Sequence, residues 1–306
     1  MDAMIKSRLT LTLLAACAVL AAAWPFRYQL YLFLPSEPVE RLQARDGLYW
    51  QKGKPFTGRM TETDMLKSGG LMTVTPVIDG LKDGRAVTFD EREPVAIAHW
   101  EAGSLEGPFE RRSAATGELL ESAFYKKGRL EGERRLYDEK GALLRAETYA
   151  GGLLEGSVKT YSPEGVLLSD VEYRAGKRDG KSRRYGPEGR LLEELTFVAD
   201  VRQGPFALCF EETGEPAVFG QYADDAFEGR VTTVKPDGGR EVRSYVRGVE
   251  TGPVERYDRE GRLMEAEPGA DPQADASDSA RGAPDAPVEV HEAEAHLQDM
   301  QDAGEP

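Results

Sequence analysis

Cysteine and histidine are scarce in this sequence, and their scarcity narrows the chemistry open to the chain. Its 306 residues include two cysteines, Cys17 and Cys209, and three histidines, His99, His291 and His296. Because Cys17 lies in an apolar N-terminal run, we expect no disulfide between the two cysteines. A Ser, Cys or Thr nucleophile needs a base held beside it, and His99 is the one histidine in the central part of the chain. The sequence therefore predicts no catalytic residues and no enzymatic activity.

Metal and cofactor sites are also not expected. His291 and His296 stand five residues apart among acids, which is a weak pattern for metal binding. The glycine spacing does not fit a phosphate-binding loop, because the glycines recur at predicted hairpin turns and open no helix. Paired acids such as Glu193 and Glu194 are typical of solvated charge. We predict no metal, no cofactor and no small-molecule substrate.

A surplus of basic residues is the third thing this chain lacks. The formal net charge is −15, and the segment from Ala266 to the C-terminus holds eleven acids and the single arginine Arg281. An acidic balance disfavours nucleic acid as a partner, since phosphate binding needs a basic face. Low hydrophobicity with high net charge predicts that residues 266–306 are an acidic disordered tail.

The N-terminus contains the longest apolar stretch. Leu9 to Phe26 follow Lys6 and Arg8, and eighteen residues are near the lower limit for crossing a bilayer. Three alternatives remain open: cleavage by signal peptidase after Ala23, lipoprotein processing before Cys17, or no cleavage. The aromatic residues that follow suit a membrane interface and favour an uncleaved anchor, so residues 1–34 are predicted to be a hydrophobic signal-anchor helix.

Glycine is abundant and regularly spaced. Two sets recur at intervals of 23 to 25 residues, and a period of this length is typical of stacked-repeat proteins. The first set contains Gly107, Gly132, Gly156, Gly180, Gly204, Gly229 and Gly252. The second set contains Gly117, Gly141, Gly165, Gly189, Gly214, Gly238 and Gly261. Four residues before most first-set glycines stands another glycine, or an acid at Asp200 and Asp225, and both kinds of residue tolerate turns.

Each period predicts two antiparallel strands and two turns. In the repeat that begins at Gly132, Glu133–Tyr137 and Ala142–Tyr149 are expected strands, joined by a turn that ends at Gly141. We predict an all-β fold in which stacked β-hairpins form a single elongated, twisted antiparallel sheet over residues 47–265. Residues 35–46 are expected to be a polar linker with one or two helical turns. Arg59–Gly80 is the least regular part, either a degraded repeat or an elaborated loop.

Aromatic residues form a second periodic row. One stands seven residues before each first-set glycine, and we call this row the repeat aromatics: Trp100, Tyr125, Tyr149, Tyr173, Phe197, Tyr222 and Tyr245. They are the best candidates for a binding face. The alternative is that they form cross-strand ladders that hold the sheet together.

The pattern GxLEGxxxxY, as in residues 128–137, resembles the MORN repeat and its bacterial variant in YwqK-type proteins, which are described as antitoxins. The resemblance covers about Gly47–Leu263 and implies stacked β-hairpins that serve as binding modules. We expect a non-enzymatic binding or scaffold protein, anchored to a bacterial membrane with its repeats outside the cytoplasm, that contacts a protein, lipid or envelope partner. The alternative is an antitoxin that neutralises a protein partner by surface contact, although the predicted anchor fits that function poorly.

Overall fold

A computed structural model of the chain describes residues 34–64 and 70–267, which are mostly β-strand. The chain divides into two compact units. Within the described ranges, unit 1 holds the residues up to Gly180 together with Arg184–Gly189, and unit 2 holds Lys181–Arg183 and the residues from Arg190 onward. The strand Lys177–Tyr185 contains residues of both units.

Unit 1 begins with short elements that precede the repeats. They are β1 (Glu37–Pro38), a 3-10 helix (Val39–Arg41), β2 (Gln43–Arg45), β3 (Leu48–Gln51) and β4 (Lys54–Pro55). The first long strands are β5 (Gly58–Asp64), β6 (Leu71–Ile78), β7 (Leu81–Lys82), β8 (Gly84–Asp90) and β9 (Glu93–Glu101). The following hairpins contain β10 (Ser104–Leu105), β11 (Gly107–Arg112), β12 (Leu119–Lys126), β13 (Arg129–Leu130), β14 (Gly132–Tyr137), β15 (Leu143–Ala150), β16 (Leu153–Leu154), β17 (Gly156–Tyr161) and β18 (Leu167–Arg174).

Unit 2 continues the same alternation of strands. After β19 (Lys177–Tyr185) come β20 (Leu191–Val198), β21 (Val201–Arg202), β22 (Gly204–Cys209), β23 (Pro216–Ala223), β24 (Ala226–Val234), β25 (Arg240–Val246), β26 (Val249–Tyr257) and β27 (Leu263–Glu267). In each unit, successive long strands pair antiparallel. The predicted all-β fold of antiparallel hairpins is therefore confirmed within both units, while the predicted length and elongation of the array stay predictions.

Each hairpin has a tight turn at the glycine or acid that stands four residues before a first-set glycine. In the turn between β15 and β16, Gly151 and Gly152 have φ of 59° and 90°, and in the next hairpin Ala175 and Gly176 have φ of 50° and 82°. Two positive φ values in a row define the type I′ turn, whose twist matches that of the flanking strands. The second of these residues is therefore where glycine relieves the most strain.

The first-set glycines have a different role from the one expected. They lie at β-bulges and not at the hairpin turns. Tyr125 pairs with Leu130 of β13, and Ser122 pairs with Arg135 of β14. Between these two pairs β12 spans three residues and the opposite chain spans five, so the opposite chain bulges. Gly132 stands in that bulge with φ of 75°. A bulge needs a residue in the left-handed region, which explains the glycine without a chain reversal.

The second-set glycines close the other turn of each hairpin, as expected. Gly165 has φ of 84°, and its N–H donates to the Ser162 carbonyl at 2.9 Å. The Ser162 N–H donates to the Val166 carbonyl at 2.8 Å. A type I turn followed by one left-handed residue returns the chain into the next strand. Gly189, with φ of 76°, adopts the same left-handed conformation in the next hairpin.

Neighbouring hairpins are joined by a carboxylate that the sequence interpretation missed. The residue before a first-set glycine accepts a hydrogen bond from the first N–H of the next type I′ turn, and we call these residues the acid caps. In unit 1, Glu106 caps Lys127 at 2.7 Å, Glu131 caps Gly151 at 2.8 Å, and Glu155 caps Ala175 at 2.9 Å. In unit 2, Glu228 caps Arg247 at 2.7 Å, and the amide oxygen of Gln203 replaces a carboxylate beneath Asp224.

Part of the apolar core of unit 1 lies where the repeat pattern of the sequence is weakest. Arg59–Gly80 was expected to be a degraded repeat or an elaborated loop, but most of it forms the hairpin β5–β6, paired from Gly58–Val77 to Asp64–Leu71. This hairpin contributes Met60, Val74 and Val77 to two apolar clusters, and β8 contributes Val87 and Phe89. The sequence misled because β5 and β6 alternate apolar residues instead of repeating the glycine grid.

The predicted polar linker is also part of unit 1. β1 pairs with β5 in parallel, and Val39 and Leu42 pack against the cluster of Phe56, Met60 and Val77. The expected helical turns reduce to a three-residue 3-10 helix. At the other end, β27 extends to Glu267, two residues past the predicted array boundary at 265.

Most of two predicted segments lies outside the described residues: 1–33 of the predicted anchor helix (1–34) and 268–306 of the predicted acidic tail (266–306). Ala266 and Glu267, predicted to begin the disordered tail, are instead the last residues of β27. Within 34–64 and 70–267, no helix has the length and apolar content needed to cross a bilayer.

Candidate binding surface

The repeat aromatics lie directly opposite the first-set glycines of their own hairpins. Gly107 pairs with Tyr125, Gly132 with Tyr149, and Gly204 with Tyr222. The two periodic rows of the sequence are thus cross-strand partners. Glycine carries no side chain, so the aromatic ring can lie over the bulge.

These rings are not displayed to solvent. On β12, Tyr125 is half-buried and shares a face with Glu121 and Ala123, which are buried. Phe197 is buried, and the remaining members are half-buried. The prediction that this row is a binding face is not tested by its geometry. Its packing does provide the cross-strand ladder that was the alternative.

In unit 1 the aromatic face carries a buried ionic network. The guanidinium of Arg134 lies between two carboxylates, with Nε 2.8 Å from Glu121 and Nη1 3.2 Å from Glu147. Arg111 also donates to Glu121, and Arg145 donates to Glu147 at 2.6 Å. Only 9% of the Glu121 side chain and 5% of the Glu147 side chain are exposed. Each carboxylate therefore has at least two charged partners, as burial demands.

This network shifts the ionisation of its own members. Burial raises the pKa of Tyr149 to about 12, and the neighbouring charge of Glu147 adds to the shift. The Tyr149 hydroxyl donates to Glu147 at 2.9 Å. Burial lowers the pKa of Arg134, but the charge of Glu121 and the hydrogen bond to it outweigh burial, so the net shift is upward. At neutral pH Tyr149 therefore keeps its proton and Arg134 keeps its charge, and the network links β12, β14 and β15.

In unit 2 the same face is filled by rings. Phe206, Tyr222 and Phe227 are in mutual contact with centroid distances of 4.7–5.3 Å, and Tyr245 extends the cluster at 5.3 Å from Phe227. The Arg202 guanidinium lies 4.6 Å from the centroid of Tyr222. Burial raises the pKa values of Tyr222 and Tyr245. Stacking of this kind stabilises the sheet and leaves little ring surface free.

An exposed apolar row lies beside the type I′ turns of unit 2. Three cross-strand pairs flank successive turns: Val198 with Val201, Ala223 with Ala226, and Val246 with Val249. We call these six residues the valine row. Val198, Val246 and Val249 are 51%, 52% and 56% exposed, so the row presents apolar surface to solvent.

The turns beneath the valine row are held firmly. The Gly248 N–H donates to the Phe227 carbonyl at 2.9 Å, and the Asp225 N–H donates to the Arg202 carbonyl at 3.1 Å. The Gln203 amide and the acid cap Glu228 fix the first residues of the same turns by hydrogen bonds. In unit 1, the corresponding positions carry mixed side chains, including the pair Lys126 and Arg129. The sequence does contain the valine row, as apolar residues on both sides of each type I′ turn. Only the repeat aromatics were identified from the sequence, and they lie on the other face of these strands.

A recess lies at the last two second-set turns of unit 2, the turns that contain Gly238 and Gly261. Its volume is about 430 Å³, and its walls come from Lys235–Arg240 and from Arg256–Glu260, with Met264 and Glu265 of β27. It is the place where the repeat pattern changes, since Gly239 and Arg240 replace the alanine and leucine found at Ala142 and Leu143.

The residues considered for chemistry all have structural partners. The His99 ring contacts the Pro108 carbonyl through Nδ1 at 2.8 Å and accepts from Arg85 through Nε2 at 3.4 Å. This arrangement matches a neutral ring with its proton on Nδ1. Cys209 is half-buried, and burial together with Glu194 raises the pKa of its thiol. Glu194 itself pairs with Lys181 and Arg183, so the interpretation of this acid as solvated charge was wrong.

No metal-binding group of three or more His, Cys, Asp or Glu side chains occurs in the part of the chain that the structure describes. His291 and His296 lie outside it.

Comparison with known proteins supports the repeat assignment. A family model described as a MORN repeat variant matches residues 154–175, from the end of β16 to the first residue of the turn after β18. The match agrees with the GxLEG pattern and the hairpin geometry, and it does not extend to the antitoxin-type subgroup. No curated protein matches the sequence.

One solved structure shows a weak similarity. A mutant of the TCP10 domain of CPAP from Danio rerio is 15% identical over 68% of this chain and 95% of that chain, with a TM-score of 0.28. A likeness at this level carries no argument about fold or function here.

Proposed function

We propose that this chain is a non-enzymatic binding or scaffold protein whose hairpin repeats contact a protein partner, held at a bacterial membrane by residues 1–34 with the repeats outside the cytoplasm. The observation that carries the binding function is the valine row of unit 2. Soluble proteins rarely expose contiguous apolar surface without using it, and such patches mark interaction sites. The MORN repeat match supports a binding module rather than a particular partner.

The rigidity of the row supports the same proposal. Residues on a fixed edge lose little conformational entropy on binding, because their backbone is already ordered. The valine row stands on turns that are fixed by main-chain hydrogen bonds and acid caps. The aromatic face is occupied by its own contacts, which leaves the turn edge as the better contact surface.

Site-specific crosslinking in cells tests the binding surface. A photoreactive amino acid is placed at Val198 or Val246 of the full chain, and at the exposed Glu212 as a control in unit 2. We expect one discrete protein adduct from the valine-row positions and none from Glu212. Substituting Ser at Val198, Val246 and Val249 should reduce the adduct formed from Ala223. Equal labelling at all positions would exclude the row as the interface.

Membrane fractionation and intact-mass measurement test the anchor separately. An uncleaved, membrane-bound chain is expected. Recovery of the full-length chain in the soluble cytoplasm would contradict the location and favour the antitoxin alternative. A hydrolytic activity that is lost when His99 is replaced would contradict the non-enzymatic assignment.

A further inference from the structure

We propose that the recess at the last two second-set turns of unit 2 is a carboxylate-binding site, and that its ligand is the acidic C-terminal segment of the same chain, residues 268–306. The recess has a volume of about 430 Å³, within the range typical of ligand sites. It lies on the opposite side of the hairpins from the valine row, so it is independent of the proposed protein-binding surface.

Two residues at this turn depart from the repeat. In several hairpins, the second-set glycine is followed by a residue with a side chain and then by a half-buried leucine, as at Leu143, Leu167 and Leu191. In this hairpin the two positions are Gly239 and the exposed Arg240. A β-carbon at Gly239 would lie 3.1 Å from Asp237 Oδ1 and 3.3 Å from the Tyr257 carbonyl oxygen, so glycine permits this close approach, and Arg240 places a cation in the wall where those hairpins have a leucine. A local departure from the repeat is typical of a functional site.

The acids in the wall of the recess are already engaged. Asp237 accepts from the Gly239 N–H at 2.9 Å, and Asp258 accepts from the N–H and Nε of Arg262 at 2.8 and 2.9 Å. Glu265 accepts from Arg256 at 3.2 Å. Glu260 in the same wall accepts from Arg259 at 2.8 Å and from Arg262 at 3.3 Å. Asp258, Glu260 and Glu265 are therefore paired with arginines, and Asp237 is held by a main-chain N–H.

Two cations in the same wall are not engaged. Among the residues that the structure describes, neither the Lys235 amine nor the Arg240 guanidinium forms a hydrogen bond or an ion pair. Arg240 is the first residue of β25, and Lys235 directly follows Val234, the residue of β24 that pairs with Arg240. Two unpaired donors at the mouth of one recess fit a carboxylate, and arginine can bind it with two parallel hydrogen bonds.

The C-terminal segment is the acid source closest in sequence. Met264 and Glu265, which form part of the wall, are followed within the chain by ten acids and one arginine between residues 268 and 306. The first acid, Asp271, stands six residues beyond Glu265. A ligand tethered this closely has an effective concentration on the order of millimolar, which favours it over an acidic segment from another protein.

Zero-length crosslinking of the full chain tests the proposal. A carbodiimide joins an amine to a carboxylate only when the two are in contact, and the segment after Glu267 contains no lysine. We expect amide bonds between Lys235 and Asp271, Asp275 or Asp278. Lys140 is the matched control, because it lies in an equivalent second-set turn where Leu143 keeps its place. Equal crosslinking of the segment to Lys140 and Lys235, or none to Lys235, would overturn the proposal.

Variants at Arg240 separate a bound carboxylate from chance collision. Arg240→Ala should lower the Lys235 crosslink about tenfold, the factor that corresponds to one charge-assisted hydrogen bond. Arg240→Lys should restore part of it. Arg247→Ala removes the same charge from the other end of the same hairpin and should leave the yield unchanged. An equal loss in the Arg240 and Arg247 variants would show a general effect of charge and reject the site.

A mixing experiment distinguishes the source of the acid. When isotopically labelled and unlabelled chains are combined at low concentration, crosslinks from Lys235 should join peptides of the same label. Mixed pairs that increase with concentration would identify a second copy as the donor and overturn the assignment to the chain's own segment.

Discussion

Within unit 1, the hairpins from β5 to β9 bury mainly apolar side chains, whereas the hairpins from β11 to β18 also bury charged ones. In the stretch from β5 to β9, Met60, Val87 and Phe89 are 0% exposed, and Val74 and Val77 are 1% exposed. From β11 to β18 the fully apolar contribution falls to Ala123 and Val158, and the buried carboxylates Glu121 and Glu147 take the remaining positions.

This difference shows that stacking and filling are separate requirements. Type I′ turns and bulges recur in both stretches, as at Asp79 and Gly80 and at Gly151 and Gly152, because they depend on backbone conformation. What occupies the face between them can be apolar or ionic, provided that each buried charge has partners. An ionic filling gains less from burial than an apolar one, so the two stretches should differ in how they respond to substitution.

The largest expected effect is at Phe89. Phe89→Ala removes a fully buried ring and should destabilise unit 1 by about 3–5 kcal/mol. Because each hairpin contacts mainly its neighbours, loss of hydrogen-exchange protection should concentrate in β6, β8 and β9. Phe124→Ala is the control, since that ring is 44% exposed and its loss should cost about 0.5 kcal/mol or less. A uniform loss of protection along unit 1 would contradict the expectation.

The next effect tests the ionic stretch. Arg134→Met leaves Glu121 and Glu147 buried with fewer cationic partners and should cost about 2–3 kcal/mol in chemical denaturation. Adding Glu121→Gln and Glu147→Gln should recover much of the loss, because neutral amides are easier to bury. Arg135→Met is the matched control on the same strand. Its partner Glu133 is 49% exposed, so the cost should be about 1 kcal/mol or less. If both arginine variants lose equal stability, the buried ionic network is not what stabilises this stretch.

Glycine substitution tests a second-set turn of the ionic stretch. Gly165 has φ of 84°, and no atom lies within 4 Å of the position that a β-carbon would take, so a side chain there meets backbone strain and no clash. Gly165→Val should cost about 1–3 kcal/mol, and Gly165→Asn less, because asparagine tolerates the left-handed region. Protection should fall in the two strands joined by the turn. Equal costs for Val and Asn would show that conformation is not the cause.

The smallest effects are expected from pH. The raised pKa of Tyr149, about 12, means that its contribution to stability is complete below pH 10 and is lost as the pH rises to about 12. Ultraviolet titration should show several tyrosines ionising above the usual value, because burial also raises the pKa values of Tyr125, Tyr222 and Tyr245, and Tyr149→Phe should remove the latest component. An unchanged titration curve in the variant would assign the late component to another residue.

The acid limb should appear in unit 2. Hydrogen bonds from Lys181 and Arg183 lower the pKa of Glu194, and those from Arg243 and Arg256 lower the pKa of Glu241. A lowered folded-state pKa gives stability that is present above the unfolded value of about 4.3 and is lost as the pH falls through the folded value. Exchange protection in β20 and β25 should therefore decrease in acid, and Glu194→Gln should flatten this decrease in β20.

The sequence predicted the hairpins because their turns need unusual backbone conformations. Glycine is selected where φ is positive, so Gly141 and Gly165 could be placed in turns from spacing alone. The same signal could not tell a turn from a bulge, since Gly132 and Gly152 both have positive φ. That distinction depends on cross-strand register, which only the structure supplies.

Side-chain environment was harder to predict than backbone. Phe89 stands five residues after Gly84, as Tyr137 does after Gly132, yet Phe89 is fully buried and Tyr137 is half-buried. Spacing does not predict this difference, because burial depends on what packs against each strand. The burial of Glu121 and Glu147 likewise depends on Arg134 from a neighbouring strand. The acid caps could have been found, because an acid precedes most first-set glycines in the sequence.

The acid caps have a consequence for how such a chain can change its length over evolution. Each type I′ turn donates a hydrogen bond to an acid cap of the hairpin before it. Deleting a hairpin from one type I′ turn to the next would therefore remove the carboxylate that accepts from the following turn. Removing the 24 residues from Gly132 to Glu155 instead joins Glu131 to Gly156 and passes its carboxylate to the turn at Ala175. The segment that can be duplicated or lost without breaking this contact therefore begins at a bulge glycine and ends at an acid cap. Its ends do not coincide with the type I′ turns that bound the hairpins.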